Sequence, residues 1–223
     1  YAVSDWRDPN DYGGGSYPWG GDLTAANNCV IPFTRGAVGP LDYTPMASFG
    51  ALNNVRFGPT DPDTGKPQEF DNPPLFTLAH MYALPIIYES GIQCLADKPS
   101  VYKAITYYEQ YWKDMPASWD ESKLIDGEVG ELVEMARRDG DDWYLGVICA
   151  YEETKPVDID LDFLGDGTYT AYIYRDNPDN PLDLDEPMNG LIAETRTVTS
   201  ADTLTLELAG LNTPVLEYEF KQA

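Results

Sequence analysis

Histidine is almost missing from this chain, and positive charge is scarce. One imidazole, His80, serves 223 residues. Ser-His-Asp chemistry therefore has a single possible base, and a Cys/His zinc site has too few ligands. Cysteine is equally thin. Cys29, Cys94 and Cys149 are odd in number and far apart, with no CxxC pair. They read as small buried apolar residues rather than as ligands or a disulfide framework. Lysine and arginine total 14 against 38 aspartates and glutamates, a net charge of −24. That excludes a nucleic-acid partner, which needs cations to displace phosphate counterions, and excludes docking on an anionic membrane. No apolar run reaches the ~18 residues that a spanning helix needs. The opening YAVSDWRDPNDYGGG has no initiator methionine and no basic stretch followed by an apolar one. The chain thus reads as a processed chain, an excised domain or a fragment, without a signal peptide of its own.

What is present is enough apolar material for a core, 43% of the residues. The charge is uneven: residues 1–115 carry 13 acidic and 7 basic side chains, residues 116–223 carry 25 and 7. The texture changes at the same place, near Met115-Pro116, which predicts two domains, 1–115 and 116–223. In the first, the Gly, Asp, Tyr and Trp rich residues to about 27 read as a long loop. Cys29 to Phe33 reads as a short buried strand, followed by turns at Gly36 and Gly39-Pro40. Ala51 to Pro74 reads as another loop. Phe76 to Glu89 predicts a helix with Leu78, Tyr82 and Ile86 on one face, kinked or ended by Pro85. Ile92 to Ala96 reads as a second buried strand and Pro99 to Trp112 as a helix. This alternation is that of a parallel sheet or barrel, and two strands cannot close a barrel. In the second domain, alternating segments at 131–138, 142–150, 156–163, 168–175, 191–199, 202–208 and 214–220 predict an antiparallel β-sandwich. The predicted class is therefore α/β followed by all-β.

Candidate chemistry rests on carboxylates. Asp158, Asp160 and Asp162 alternate, but a calcium loop starting there would have Phe163 where Gly belongs and Tyr169 where Glu belongs. They read as the solvent face of a strand. Asp61-Pro62-Asp63-Thr64-Gly65 fails similarly and reads as a turn. His80, inside a predicted helix, reads as a hydrogen-bonded structural residue. Glu89, Asp97 and Asp114 lie beside apolar segments, and glycoside hydrolysis uses a pair of carboxyl groups. Barrel strands present chemistry at their C-terminal ends. That singles out Arg35, after the first predicted strand, Asp97, after the second, and Asp42, in the loop after the first. Each has either a substrate-side or a loop-anchoring role. Aromatics make up 13% of the chain, which suits sugar stacking and ordinary core packing alike.

Three segments carry a resemblance. Residues 28–45 (NCVIPFTRGAVGPLDYTP), 77–97 (TLAHMYALPIIYESGIQCLAD) and 112–149 (WKDMPASWDESKLIDGEVGELVEMARRDGDDWYLGVIC) resemble, in order, blocks of glycoside hydrolase family 97. The family comprises bacterial α-glucosidases and α-galactosidases with a β-supersandwich, a (β/α)8 catalytic barrel and a small C-terminal β-domain. The resemblance implies that 1–115 holds the last barrel strands and helices and 116–223 the C-terminal β-sandwich. It implies hydrolysis of terminal α-linked glucose or galactose from oligosaccharides, calcium in the full-length enzyme and a periplasmic or secreted location. Aligned to the family, the general-acid glutamate falls immediately before Tyr1, and the base or nucleophile and the calcium glutamates fall further upstream. No catalytic and no metal residue is therefore carried over to this chain, and the chain alone is expected to be inactive. The alternative is a non-catalytic β-sandwich that binds carbohydrate or joins copies into a homo-oligomer.

Overall fold

The computed structural model describes residues 2–4, 25–44, 77–93, 106–180 and 190–210. Antiparallel strands dominate. β3 (Glu121–Glu128), β4 (Leu132–Asp139) and β5 (Asp142–Cys149) form one sheet in that order. The β4–β5 hairpin closes through Gly140-Asp141, with Asp139 opposite Asp142. Gly140 takes φ +59°, the left-handed conformation that a two-residue hairpin turn requires. β6 (Lys155–Asp160) pairs with β9 (Thr203–Leu208), and β7 (Tyr169–Asp176) with β8 (Leu191–Val198). A short parallel pair joins β1 (Ala2–Ser4) to β2 (Asp42–Thr44). The helices are α1 (Ala25–Val30), α2 (Leu78–Ile87) and α3 (Thr106–Asp114).

Period-two patterning explains the β-rich part. Along β9, Leu204, Leu206 and Leu208 are buried and the residues between them exposed. They pack with Ile159, Phe163, Ile173 and Val198 against Leu132, Ala136 and Cys149 of the sheet. On the outer side the hydroxyls of Thr203 and Thr205 donate to Asp160 at 2.8 Å and Asp158 at 2.6 Å. Asp158 and Asp160 are exposed on β6 as expected, whereas Asp162, also exposed, lies in the turn beyond the strand's end. The other face of the same sheet has a second core. Val133 and Ile148 meet Cys29 of α1 and Leu84, Ile87 and Tyr88 in and after α2. One sheet is thus covered on both sides, which is why β4 is buried at nearly every position.

Several expectations are corrected. Cys29 to Phe33 is not a strand: it is the end of α1 followed by a 3-10 turn over Ile31–Phe33. A five-residue apolar run does not by itself distinguish strand from helix, and Pro32, with no N–H, fits the first turn of a helical segment. The stretch before residue 28 is not all loop, since it includes β1 and the start of α1. Asp42 is in β2, not in a loop. α2 is buried on nearly all sides rather than on one face, and it ends two residues beyond Pro85. Ile92 is 69% exposed, unlike a buried-strand residue, while Cys94 to Ala96 lie outside the described residues. β3 was absent from the predicted strands. The Ala51 to Pro74 loop and the strand expected at 214–220 also lie outside the described residues.

Gly146 sets how closely α2 approaches the sheet. A Cβ there would lie 3.0 Å from the Ala83 carbonyl oxygen and 3.0 Å from Cγ1 of Ile87. Gly146→Val should therefore lower stability by about 2 kcal/mol or more, through overpacking against helix backbone. Urea denaturation of the two proteins measures it.

Candidate functional site at the helix–sheet junction

Four buried polar residues, Asn28, Thr77, His80 and Arg137, gather where α1 and α2 meet the sheet. α2 opens at Thr77, whose side-chain oxygen accepts from the His80 backbone N–H at 3.2 Å, a normal N-cap. One turn inward the His80 ring meets Asn28 of α1, with Asn28 Nδ2 and His80 Nε2 3.0 Å apart. An amide nitrogen can only donate, so Nε2 is the acceptor. The Tyr88 hydroxyl donates to Asn28 Oδ1 at 2.9 Å. Asn28, His80 and Tyr88 are all buried. Burial pushes the His80 pKa down to about 3, so the ring is neutral in the fold. The imidazole is structural, as its helical setting suggested.

The other end of α2 is held by Arg137 of β4. Its guanidinium donates to the carbonyl oxygens of Ile86 and Ile87, the latter at 2.9 Å, and to Ser122 Oγ at 2.6 Å. Glu89 lies 3.8 Å away, and the arginine side chain is only 5% exposed. The last carbonyls of a helix have no intrahelical donor and carry partial negative charge, which a cation satisfies. On the opposite face of β4, Glu134 is buried. Burial first, then the neighbouring Asp126 and Asp160, raises its pKa to about 7.

The sequence-derived candidates fall elsewhere. The Arg35 guanidinium donates to the carbonyl oxygens of Gly39 at 3.0 Å and Pro40 at 2.9 Å. It follows a helical segment, so its placement at the end of a barrel strand does not hold. Asp42 backbone pairs with Ala2, and Asp97 lies outside the described residues. Arg35 and Asp42 share one short segment. Of the other carboxylates, Glu89 faces Arg137 and Asp114 accepts from Gln110 at 2.7 Å. Neither described cysteine offers a nucleophile: burial pushes Cys29 up to about 12 and Cys149 upward as well. Among the described residues no group of three or more His, Cys, Asp or Glu could hold a metal ion. The described polar groups of the junction join helices to a sheet. Arg137 was the residue missed. The alternation Val133, Met135, Arg137 places it on an apolar face, and that signal was available in the sequence.

Comparison with known proteins gives this geometry a setting. Residues 118–212 match a family model described as glycosyl-hydrolase 97 C-terminal, oligomerisation. A retaining alpha-galactosidase of Bacteroides thetaiotaomicron is 35% identical over 147 residues, 66% of this chain and 21% of that protein. A probable retaining alpha-galactosidase of Streptomyces bingchenggensis is 30% identical over 184 residues, 82% of this chain and 24% of that protein. A solved glycoside hydrolase family 97 enzyme from Pseudoalteromonas sp. strain K8, in complex with acarbose, has a TM-score of 0.65 and 34% identity. That match covers 83% of this chain and 27% of the enzyme. The chain spans about a quarter of the length of these relatives.

Two outcomes follow from the junction. Arg137→Lys keeps the charge but cannot fork to two carbonyls and a hydroxyl together. It should cost about 2–4 kcal/mol in denaturant unfolding, with Arg137→Met costing at least as much. Glu134, an acid whose folded pKa lies above its ordinary 4.5, subtracts stability as pH rises from 4.5 towards 7. Glu134→Gln should therefore be more stable than the parent at pH 8, by on the order of 2 kcal/mol, with the gap closing below pH 4.5. Melting curves across pH 4–8 read both the sign and the window.

Proposed function

The chain belongs to glycoside hydrolase family 97, and from that we propose that it is the C-terminal part of an α-glycosidase. The parent enzyme removes terminal α-linked galactose or glucose from oligosaccharides. The observation that carries this reading is the extent of the second relative's match. Its 184 aligned residues are far more than the stretch from 118 to 223 can hold. The likeness to a probable α-galactosidase therefore continues upstream of the β-domain. On this reading residues 1–115 supply the last strands and helices of a catalytic barrel and residues 116–223 a β-sandwich behind it. The acid and the base or nucleophile come from chain upstream of these residues. Arg35, Asp42 and Asp97 stand as barrel-mouth residues only in this proposal, with Arg35 already holding its own loop. Calcium, if the parent binds it, is assigned to no residue described here, because no group of three or more His, Cys, Asp or Glu among the described residues could hold a metal ion. A periplasmic or secreted location rests on the family resemblance.

A second role is favoured by the word oligomerisation in the description of the matching family model. β3 is an outer strand of its sheet among the described residues, and Leu124 upon it and Val129 beyond it are 51% and 58% exposed. In that role the β-domain joins copies of the parent.

Activity separates the readings. Hydrolysis needs two carboxyl groups ~5–10 Å apart across the bond. The purified chain should release no aryl group from aryl α-galactosides or α-glucosides, with or without calcium, whereas the parent with its upstream segment should cleave one of them. Failure of the parent on both substrates would overturn the enzymatic reading. Turnover by the chain alone that survives repurification and disappears in Asp97→Asn would place a complete site within these residues.

A further inference from the structure

Glu134 carries a charge-forming group into the wrong surroundings. It is 2% exposed and alternates along β4 with Leu132 and Ala136, which enter the β-rich core. Directly opposite it on β3 stands Asp126, at a register shift between Leu124 and Asp126. Like charges opposite each other in a sheet repel, and a bulge disrupts the ladder where it falls. Asp160 of β6 adds a second negative neighbour. On β5 the residue opposite Glu134 is Val147, which has no charge. Beyond β5, burial and then neighbours that include Glu131, Glu134 and Glu128 push the Tyr151 phenol upward. The basic groups of this face are directed elsewhere. Lys123 lies 3.3 Å from Glu121 and over the Trp143 ring, Arg138 donates to Glu121 at 3.2 Å, and Lys155 lies over the Tyr151 ring. Among the described residues no hydrogen bond reaches the Glu134 carboxyl group. Burial and acidic neighbours both favour the neutral acid.

The chain next to this pair is also what α1 rests on. Asp126, Gly127 and Glu128 are exposed, and Val129 in the turn beyond them is 58% exposed. Asp126 spends Oδ1 on the Gly127 N–H at 2.8 Å. The Phe33 ring, in the 3-10 turn after α1, lies against Gly127, where a Cβ would meet Phe33 Cζ at 2.6 Å. The Gly130 N–H donates to the Cys29 carbonyl oxygen of α1 at 3.3 Å. We propose that Glu134 and Asp126 form a pH-operated latch: while Glu134 holds its proton, the end of β3 from Asp126 to Val129 stays on β4, and loss of that proton releases this end together with the seat of Phe33 and α1.

The bulge makes the opening local. An ionised carboxylate must find water or a donor, and lifting the exposed end of β3 admits water to Glu134 without dismantling β4, β5 or the core beneath β9. The closed state holds Glu134 at about 7 against an ordinary 4.5. An acid raised in the closed state favours closure below its ordinary value and loses that preference as pH rises towards the raised one. The opening equilibrium therefore shifts by ~30-fold between pH 5.5 and pH 8, and changes little above that.

Hydrogen exchange of the intact chain tests the latch, read as protection factors so that the intrinsic pH dependence of exchange drops out. From pH 5.5 to pH 8 the amides of 126–130 should lose protection ~30-fold. The Gly130 amide, which donates to α1, should follow the same curve. Urea below the unfolding transition should leave these rates unchanged, because a local opening exposes little surface. Glu134→Gln should keep the protection level across the range, and Asp126→Asn should lower the pH at which the loss is complete. Exchange at 126–130 that quickens with urea in step with β5 would overturn the proposal, since only global unfolding would then free Glu134. So would a pH dependence that survives Glu134→Gln, or a curve that Asp126→Asn leaves in place.

Discussion

Arg137 joins two parts of the chain that sequence texture separates. Its guanidinium reaches Ile86 and Ile87, about fifty residues upstream, and Ser122 on the neighbouring strand. Burying a guanidinium costs several kcal/mol unless its donors are met. Here three acceptors and the Glu89 carboxylate meet them. The same bonds satisfy carbonyls that the end of α2 leaves without partners. Each side therefore solves the other's problem, and neither solution survives separation. A division near residue 115 marks a change of pattern in the sequence, but the helix–sheet core and this arginine run straight across it.

The sheet can serve both sides because β4 and β5 carry apolar residues in both phases. Leu132 and Ala136 face the β-rich core, and Val133 and Ile148 face the helices. Gly146 removes a side chain where α2 lies closest. A sheet with one wet face would have let the helices swing on a tether. A sheet buried on both faces fixes their position, and close-packed interiors transmit position rather than absorb it. The acidic excess is directed outward, as along β6, where Asp158 and Asp160 take hydroxyl bonds from threonines of β9.

Most of the β-rich half was legible because one periodicity dominated it. Alternation located β4 to β9 to within a residue or two, except that β6 ends at Asp160, three residues before the expected end, and Asp139-Gly140 marked the hairpin. β3 escaped because Glu121 to Glu128 has no clean alternation: three glutamates and aspartates, a lysine and a glycine interrupt it, and its register shifts between Leu124 and Asp126. α1 was misread because Cys29 to Phe33 is too short for period to speak, and its deciding residue is the buried Asn28, which bonds to residues some fifty and sixty positions away. The site was less legible than the fold. Arg137 could have been placed on the helix-facing side from spacing, but its acceptors are backbone carbonyls that any sequence possesses. The burial of Glu134 and Asp176 depends on strand pairing that no local pattern encodes.

The described side chains also explain what kind of contribution this chain makes. A general acid or base is poised near its working pH and open to substrate. His80 is driven the other way, held neutral and sealed beneath Asn28. Cys29 is kept as a thiol. Glu134 titrates near neutrality, yet it is sealed in a β-sheet core. Among the described groups, burial, the cause of these shifted pKa values, also closes them to solvent. Such buried groups hold a shape: the sheet, covered on both faces, keeps α2 in a fixed position against β4 and β5.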